Sequence, residues 1–157
     1  MIVHTESQKL RLKANDSEDV VVLSALLQDA IIPGSDMSFD PKLNEFVLVA
    51  NRFCWELEPS VDVRSSDGKP IYERCLCGIR IARVRSVLQY NWPETRQNGL
   101  FNLLALGLVD MAEQARDGLA LQFEFSGGSS LRLHVDDVDI MLADLDVGHP
   151  TSLQPTH

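Results

Sequence analysis

The stretch from Asn44 to Glu56, NEFVLVANRFCWE, constrains the fold of this chain more than any other. One alternating row reads Phe46, Leu48, Ala50 and Cys54, and the other Val47, Val49, Phe53 and Trp55. Successive side chains of a strand point to opposite faces, so two apolar rows predict a central strand covered on both sides. Asn51 and Arg52 interrupt those rows. Each must be paired or exposed, because a buried polar group without a partner costs roughly 1–3 kcal/mol.

On the N-terminal side, Lys9 to Ala14 sets Leu10 and Leu12 against Lys9, Arg11 and Lys13, the pattern of a half-exposed edge strand guarded by its charges. Asn15-Asp16-Ser17 offers capping oxygens to a helix running to about Asp29, with Val20, Leu23, Leu26 and Leu27 at helical spacing. Val21, Val22 and Ala25 widen that apolar arc and predict that most of the helix is buried. Pro33-Gly34 makes the next strand irregular, and Asp40-Pro41-Lys42-Leu43 turns the chain into the central strand.

After Glu56 the composition shifts to Pro, Ser, Asp and Gly, which predicts a flexible loop from Glu58 to Pro70. Tyr72 to Tyr90 reads as strand, with a change of parity that predicts a break near Ala82-Arg83. Leu100 to Val109 is apolar almost throughout and predicts a buried strand. Leu119–Phe125 and Leu131–Val135 form a hairpin pattern across Gly127-Gly128, and matching the faces pairs Phe125 with Leu131 and Phe123 with Leu133. Glu124 then sits beside Arg132 and Gln122 beside His134. Asp136 caps a predicted C-terminal helix packed through Val138, Met141, Leu142 and Leu145.

These elements predict a single α+β domain over residues 8–146, with flexible tails at 1–7 and 147–157. The fold class is a mainly antiparallel, strongly bent sheet or partly open barrel of about seven strands, with one helix after the first strand and one at the C-terminus. That order is pleckstrin-homology-like in topology.

The net charge of −9 argues against nucleic acid or an anionic membrane as partner. No apolar run is long enough for a signal peptide or a spanning helix, so a cytoplasmic location is expected. Cys54, Cys75 and Cys77 are odd in number and fit reduced thiols in a reducing compartment. With His134 they could be imagined around zinc, but a one-residue gap on a rigid strand spaces Cys75 and Cys77 awkwardly. No metal or cofactor is expected.

The helix segment Leu23 to Ala30, the strand end Asn51 to Glu56, the hairpin Phe125 to Gly128 with Leu131 to Leu133, and Leu142 to Leu145 together resemble the landmarks of a bacterial family catalogued as domain of unknown function 2948. The resemblance runs from about Leu10 to Leu145. It implies a small cytoplasmic bacterial protein and brings no catalytic residues to carry over.

The candidate binding residues are Asn51, Arg52, Trp55 and Glu56 at the end of the central strand, with Arg80, Arg83 and Arg85 in the arginine-rich strand that follows. Arg52 and Glu56 share a face, but four residues of strand span about 13 Å, so no direct pair is expected. A satisfied structural network beneath the first helix is the plainer reading of these groups, and cross-strand pairing with Asp and Glu is the plainer reading of the arginines. No serine sits in a nucleophile elbow, and no catalytic triad is legible. The expected function is therefore a non-enzymatic binding or regulatory module acting through contact with a protein partner or with itself. The alternative is a small-molecule-binding protein or enzyme whose anion pocket uses Arg52 and the Arg80 region.

Overall fold

The computed structural model describes residues 3–6, 9–56, 60–64, 70–94, 99–110, 118–146 and 148–151. These form one helix, α1 (Ser17–Leu27), and thirteen strands: β1 (Val3–Glu6), β2 (Lys9–Ala14), β3 (Ile31–Pro33), β4 (Met37–Asp40), β5 (Glu45–Phe53), β6 (Ser60–Arg64), β7 (Pro70–Ile81), β8 (Val84–Tyr90), β9 (Leu100–Asp110), β10 (Leu119–Phe125), β11 (Ser130–Val135), β12 (Ile140–Asp144) and β13 (His149–Thr151). Ten of them follow one path, β1-β2-β12-β7-β5-β3-β9-β10-β11-β8, where about seven were expected. Every pairing is antiparallel. The path does not close, because β1 and β8 end it.

One core joins the two limbs of this path. Leu12, Leu48, Ile79 and Leu142 from the β2-β12-β7-β5 limb share a buried cluster with Phe101, Leu121, Phe123 and Leu133 from the β9-β10-β11-β8 limb. A sheet whose ends both contribute to one core must bend around it. The helix α1 closes this arrangement. Asp16 caps it by accepting from the Asp19 N–H at 2.8 Å, and Ser24 Oγ accepts from the Leu106 N–H at 3.0 Å. Val20, Leu23 and Leu27 are buried, but Val21 and Val22 are 68% and 42% exposed, so the helix is less covered than its sequence implies.

The break after Ile81 is real. Arg83 has φ of 59° and turns the chain from β7 in one limb to β8 in the other. The glycine hairpin keeps its predicted faces but not its register: Phe123 pairs with Leu131, Leu121 with Leu133 and Gln122 with Arg132. A tight 3-10 turn at Ser126–Gly128, with Gly127 at φ 84° and Gly128 at φ 88°, lets Phe125 N–H donate to the Ser129 carbonyl at 3.0 Å. The loop is thus shorter than expected, and the pairing moves by two residues with parity intact.

Three other expectations are corrected. Residues 140–144 form β12, inserted between β2 and β7, where a C-terminal helix was expected. The pleckstrin-homology-like order loses its closing helix with it. Val138, Ile140 and Leu142 face inward by alternation, while Met141 and Leu145 lie on the other side; apolar residues on both sides of a strand mimic a helical stripe. In the presumed tails, β1 pairs with β2 and β13 with β7. In the presumed loop, β6 pairs with β7, and 57–59 and 65–69 lie outside the described residues.

Candidate functional site

β5 is central, lying between β7 and β3, but only one of its faces is fully covered. Phe46, Leu48, Ala50 and Arg52 are buried, whereas Val47 is exposed and Val49 and Asn51 are half-buried. The expectation of a strand sheltered on both sides is therefore overturned. The second apolar row is open at Val47 and half covered at Val49, although Phe53 at its end is buried, and this places the candidate groups on two different surfaces.

Arg52 is fully buried on the core side. Its Nε and Nη2 donate to the two Asp144 oxygens at 2.9 and 2.8 Å, and its Nη1 and Nη2 donate to Glu56 at 2.9 and 2.7 Å. Four of the five N–H donors of the guanidinium are thereby engaged. Asp144 also accepts the Leu10 N–H at 2.7 Å, so one carboxylate ties β2, β5 and β12 together. Burial alone would lower the arginine pKa, but the bonds to Asp144 and Glu56 outweigh it and raise it. The direct Arg52–Glu56 pair contradicts the strand-length argument for a physical reason. β5 stops at Phe53, and the chain turns, with the Trp55 N–H 3.0 Å from the Phe53 carbonyl, which folds Glu56 back.

Trp55 stands beside this network. Its indole N–H donates at 2.9 Å to the Gln28 carbonyl at the C-terminal end of α1, satisfying a group that the helix leaves without an internal partner. Its ring lies 4.5 Å from Phe53, which Tyr72 and the Arg74 guanidinium also cover. The sulfurs of Cys54 and Cys75 are 3.6 Å apart and both residues are buried. Their shared S–H contact and the Arg52 charge hold the Cys54 thiol below its usual value, and the same contact with burial pushes the Cys75 thiol up. Burial pushes the Cys77 thiol up to about 12.

The remaining candidates do not converge on Arg52. Asn51 faces outward and accepts from Arg74 through its carbonyl at 3.2 Å. Arg80 sits opposite Val47, an odd number of residues from Arg52 along β5 and hence on the other face, 3.7 Å from Glu45. Arg83 lies 3.8 Å from Asp139, and Arg85 is bonded to Asp136, both at the corner between limbs. Asp136, expected to cap a helix, thus precedes a strand, as do Asp137 and Asp139. Among the described residues no group of three or more His, Cys, Asp or Glu side chains is placed to hold a metal. A separate cleft of about 450 Å³ is lined by Met37, Phe39, Phe46, Val87, Trp92 and Leu131, and by none of the candidate residues.

The outward face of β2-β12-β7-β5 carries the feature that the sequence reading missed. Val47, Leu76, Met141 and Leu145 are 41%, 40%, 42% and 54% exposed, and with Val49, Gly78 and Ala143 they form an apolar floor. A shallow groove of about 370 Å³ runs over it, with Arg80 at one end. Gly78 leaves room for Leu145, whose Cδ2 would lie 3.6 Å from an added Cβ. The neighbouring strand contributes a basic row: register places Lys13 beside Met141 and Arg11 beside Ala143, with Lys9 further along the same side of β2. These charges do not guard an edge, since β1 pairs beyond them. Asp144 was missed because its segment was assigned the wrong period; inward alternation through Ile140 and Leu142 is the signal that locates it.

Among the described residues no helix is long and apolar enough to cross a membrane. No curated protein and no solved structure matches the chain. A family model described as "Protein of unknown function (DUF2948)" matches residues 10–157.

Proposed function

The chain belongs to the DUF2948 family, and on that premise we propose that it is a non-enzymatic binding module that docks a protein partner on the open face of β2-β12-β7-β5. The supporting observation is that face itself: an apolar floor of Val47, Val49, Leu76, Met141 and Leu145 beside the basic row Lys9, Arg11 and Lys13. A contiguous apolar surface rimmed by polar groups is costly to leave in water and is typical of an interaction site. The basic row selects the partner's chemistry. It fits a segment that is apolar on the side meeting Leu145 and acidic on the side meeting Arg11 and Lys13, because complementary charge steers the encounter and fixes register. In a chain of net charge −9 this row stands out locally from the overall sign.

The test is affinity capture from the native lysate with four baits: the wild-type chain, Val49→Glu, Arg11→Glu with Lys13→Glu, and Val21→Glu on the exposed side of α1. The expected result is a partner held by wild type and by Val21→Glu, lost from both sheet-face variants and weakened by salt. Identical captures by wild type and Val49→Glu would remove the basis of the proposal. Sedimentation of the same proteins distinguishes a second copy: a concentration-dependent dimer abolished by Val49→Glu would replace the partner by the chain itself.

A further inference from the structure

We propose that Cys54 and Cys75 are a dithiol that hydrogen peroxide converts to a disulfide, a covalent modification site next to the Arg52–Asp144–Glu56 network. The geometry carries the inference. The two sulfurs are already 3.6 Å apart, and a disulfide needs them at about 2.05 Å. Cys54 is the first residue past β5 and stays tied to β7, its N–H donating to the Glu73 carbonyl at 2.9 Å, so side-chain rotation is what closes that gap. Cys75 is fixed on β7 directly opposite Arg52.

The surroundings divide the roles. The Arg52 charge favours a thiolate at Cys54, and so does the contact of its sulfur with that of Cys75 at 3.6 Å. The nucleophile in thiol oxidation is the thiolate, so Cys54 reacts first. Its sulfur attacks one peroxide oxygen, the O–O bond breaks, and the departing oxygen leaves as water after taking a proton, giving a sulfenic acid on Cys54. The Cys75 sulfur then attacks the Cys54 sulfur. The S–O bond breaks, hydroxide leaves and takes the Cys75 proton as a second water, and the S–S bond is formed. Two thiols are oxidised and one peroxide is reduced to two waters, so the step balances.

Burial selects the oxidant. Cys54 and Cys75 are 3% and 2% exposed, which shuts out a bulky disulfide such as oxidised glutathione but not a small uncharged peroxide. Cys77, opposite Ala50 on the same strand and with its thiol pushed up to about 12, serves as an internal control that stays reduced. This proposal does not depend on the docking face.

The test uses the full chain, reduced and then exposed to a few equivalents of hydrogen peroxide at neutral pH, quenched, denatured and alkylated. Peptide mapping is expected to show Cys54 linked to Cys75 with the mass of two hydrogens lost and Cys77 alkylated as a free thiol. In Cys75→Ser the sulfenic acid on Cys54 is expected to persist and to be trapped by dimedone. In Cys54→Ser the oxidation of Cys75 is expected to slow at least tenfold. A Cys77→Ala chain is expected to behave as wild type. Three free thiols after treatment of the folded wild-type chain, or equal oxidation of Cys77, would overturn the proposal. So would oxidised glutathione producing the same link as fast as peroxide, because access would then not be selective. Circular dichroism of each variant establishes that it is folded, and the wild-type mapping decides the matter even if a variant fails to fold.

Discussion

Replacing Arg52 with methionine keeps most of the side-chain volume and deletes the guanidinium. Asp144 would then retain one of its three hydrogen bonds, that from the Leu10 N–H, while its side chain remains shut off from water. Removing one member of a buried ion pair leaves an uncompensated charge and costs about 3–5 kcal/mol. The Glu56 arm adds little, because that carboxylate is 29% exposed and water screens it. A typical domain has about 5–15 kcal/mol of stability in total, so Arg52→Met is expected to lie close to the unfolding threshold. With a urea dependence of about 2 kcal/mol per molar, the midpoint should fall by about 2 M. Trp55, next to the network, reports the transition by fluorescence. The decisive comparison is with Arg52→Met/Asp144→Asn, whose amide oxygen still accepts from Leu10 but carries no charge, and which is expected to regain about 2 kcal/mol. If the single variant loses less than about 1 kcal/mol, or if the double variant is no more stable than the single, the reasoning from buried charge is wrong.

Glu56→Gln should cost no more than about 1 kcal/mol by the same urea assay, since its contact with Arg52 is partly screened. Cys77 has a thiol raised from 9.0 to about 12, so its contribution to stability is complete below about pH 9 and is lost as pH rises towards 12. Comparing unfolding of wild type and Cys77→Ala through that window should show a shallower alkaline decline in the variant, by up to about 1.4 kcal/mol per pH unit. Asp16→Ala removes the oxygen that accepts from Asp19 N–H and should cost about 1 kcal/mol in thermal or urea melts. Val49→Glu, at a half-buried position of the open face, should cost about 1 kcal/mol and leave the chain folded while altering capture.

Much of the framework is legible in the residues. A capping oxygen within Asn15-Asp16-Ser17, the parity change at Ala82-Arg83 and the glycine hairpin all follow from local chemistry, and each is found, the cap at Asp16. What misled was outward apolarity. Val47 and Val49 made β5 look doubly buried, Met141 and Leu145 made β12 look helical, and Val21 and Val22 made α1 look enclosed. The three share one cause: an apolar side chain on a partly open face carries the same sequence signal as one in the core. The Arg52 site was half legible. Its need for partners followed from burial in an apolar row, but Glu56 reached it through a turn and Asp144 from ninety-two residues away, and spacing along a strand reveals neither.

The insertion of β12 between β2 and β7 has a consequence for how the chain assembles. Residues at positions 9–14 and 70–81 become neighbours of a common strand only once 140–144 is in place. Such far-separated pairings are slow to find. Until then two raw ladders, one on either side of the vacant slot, present unpaired amides and carbonyls to any extended peptide nearby. A chain cut short before Ile140 should therefore clump rather than persist as a smaller folded unit.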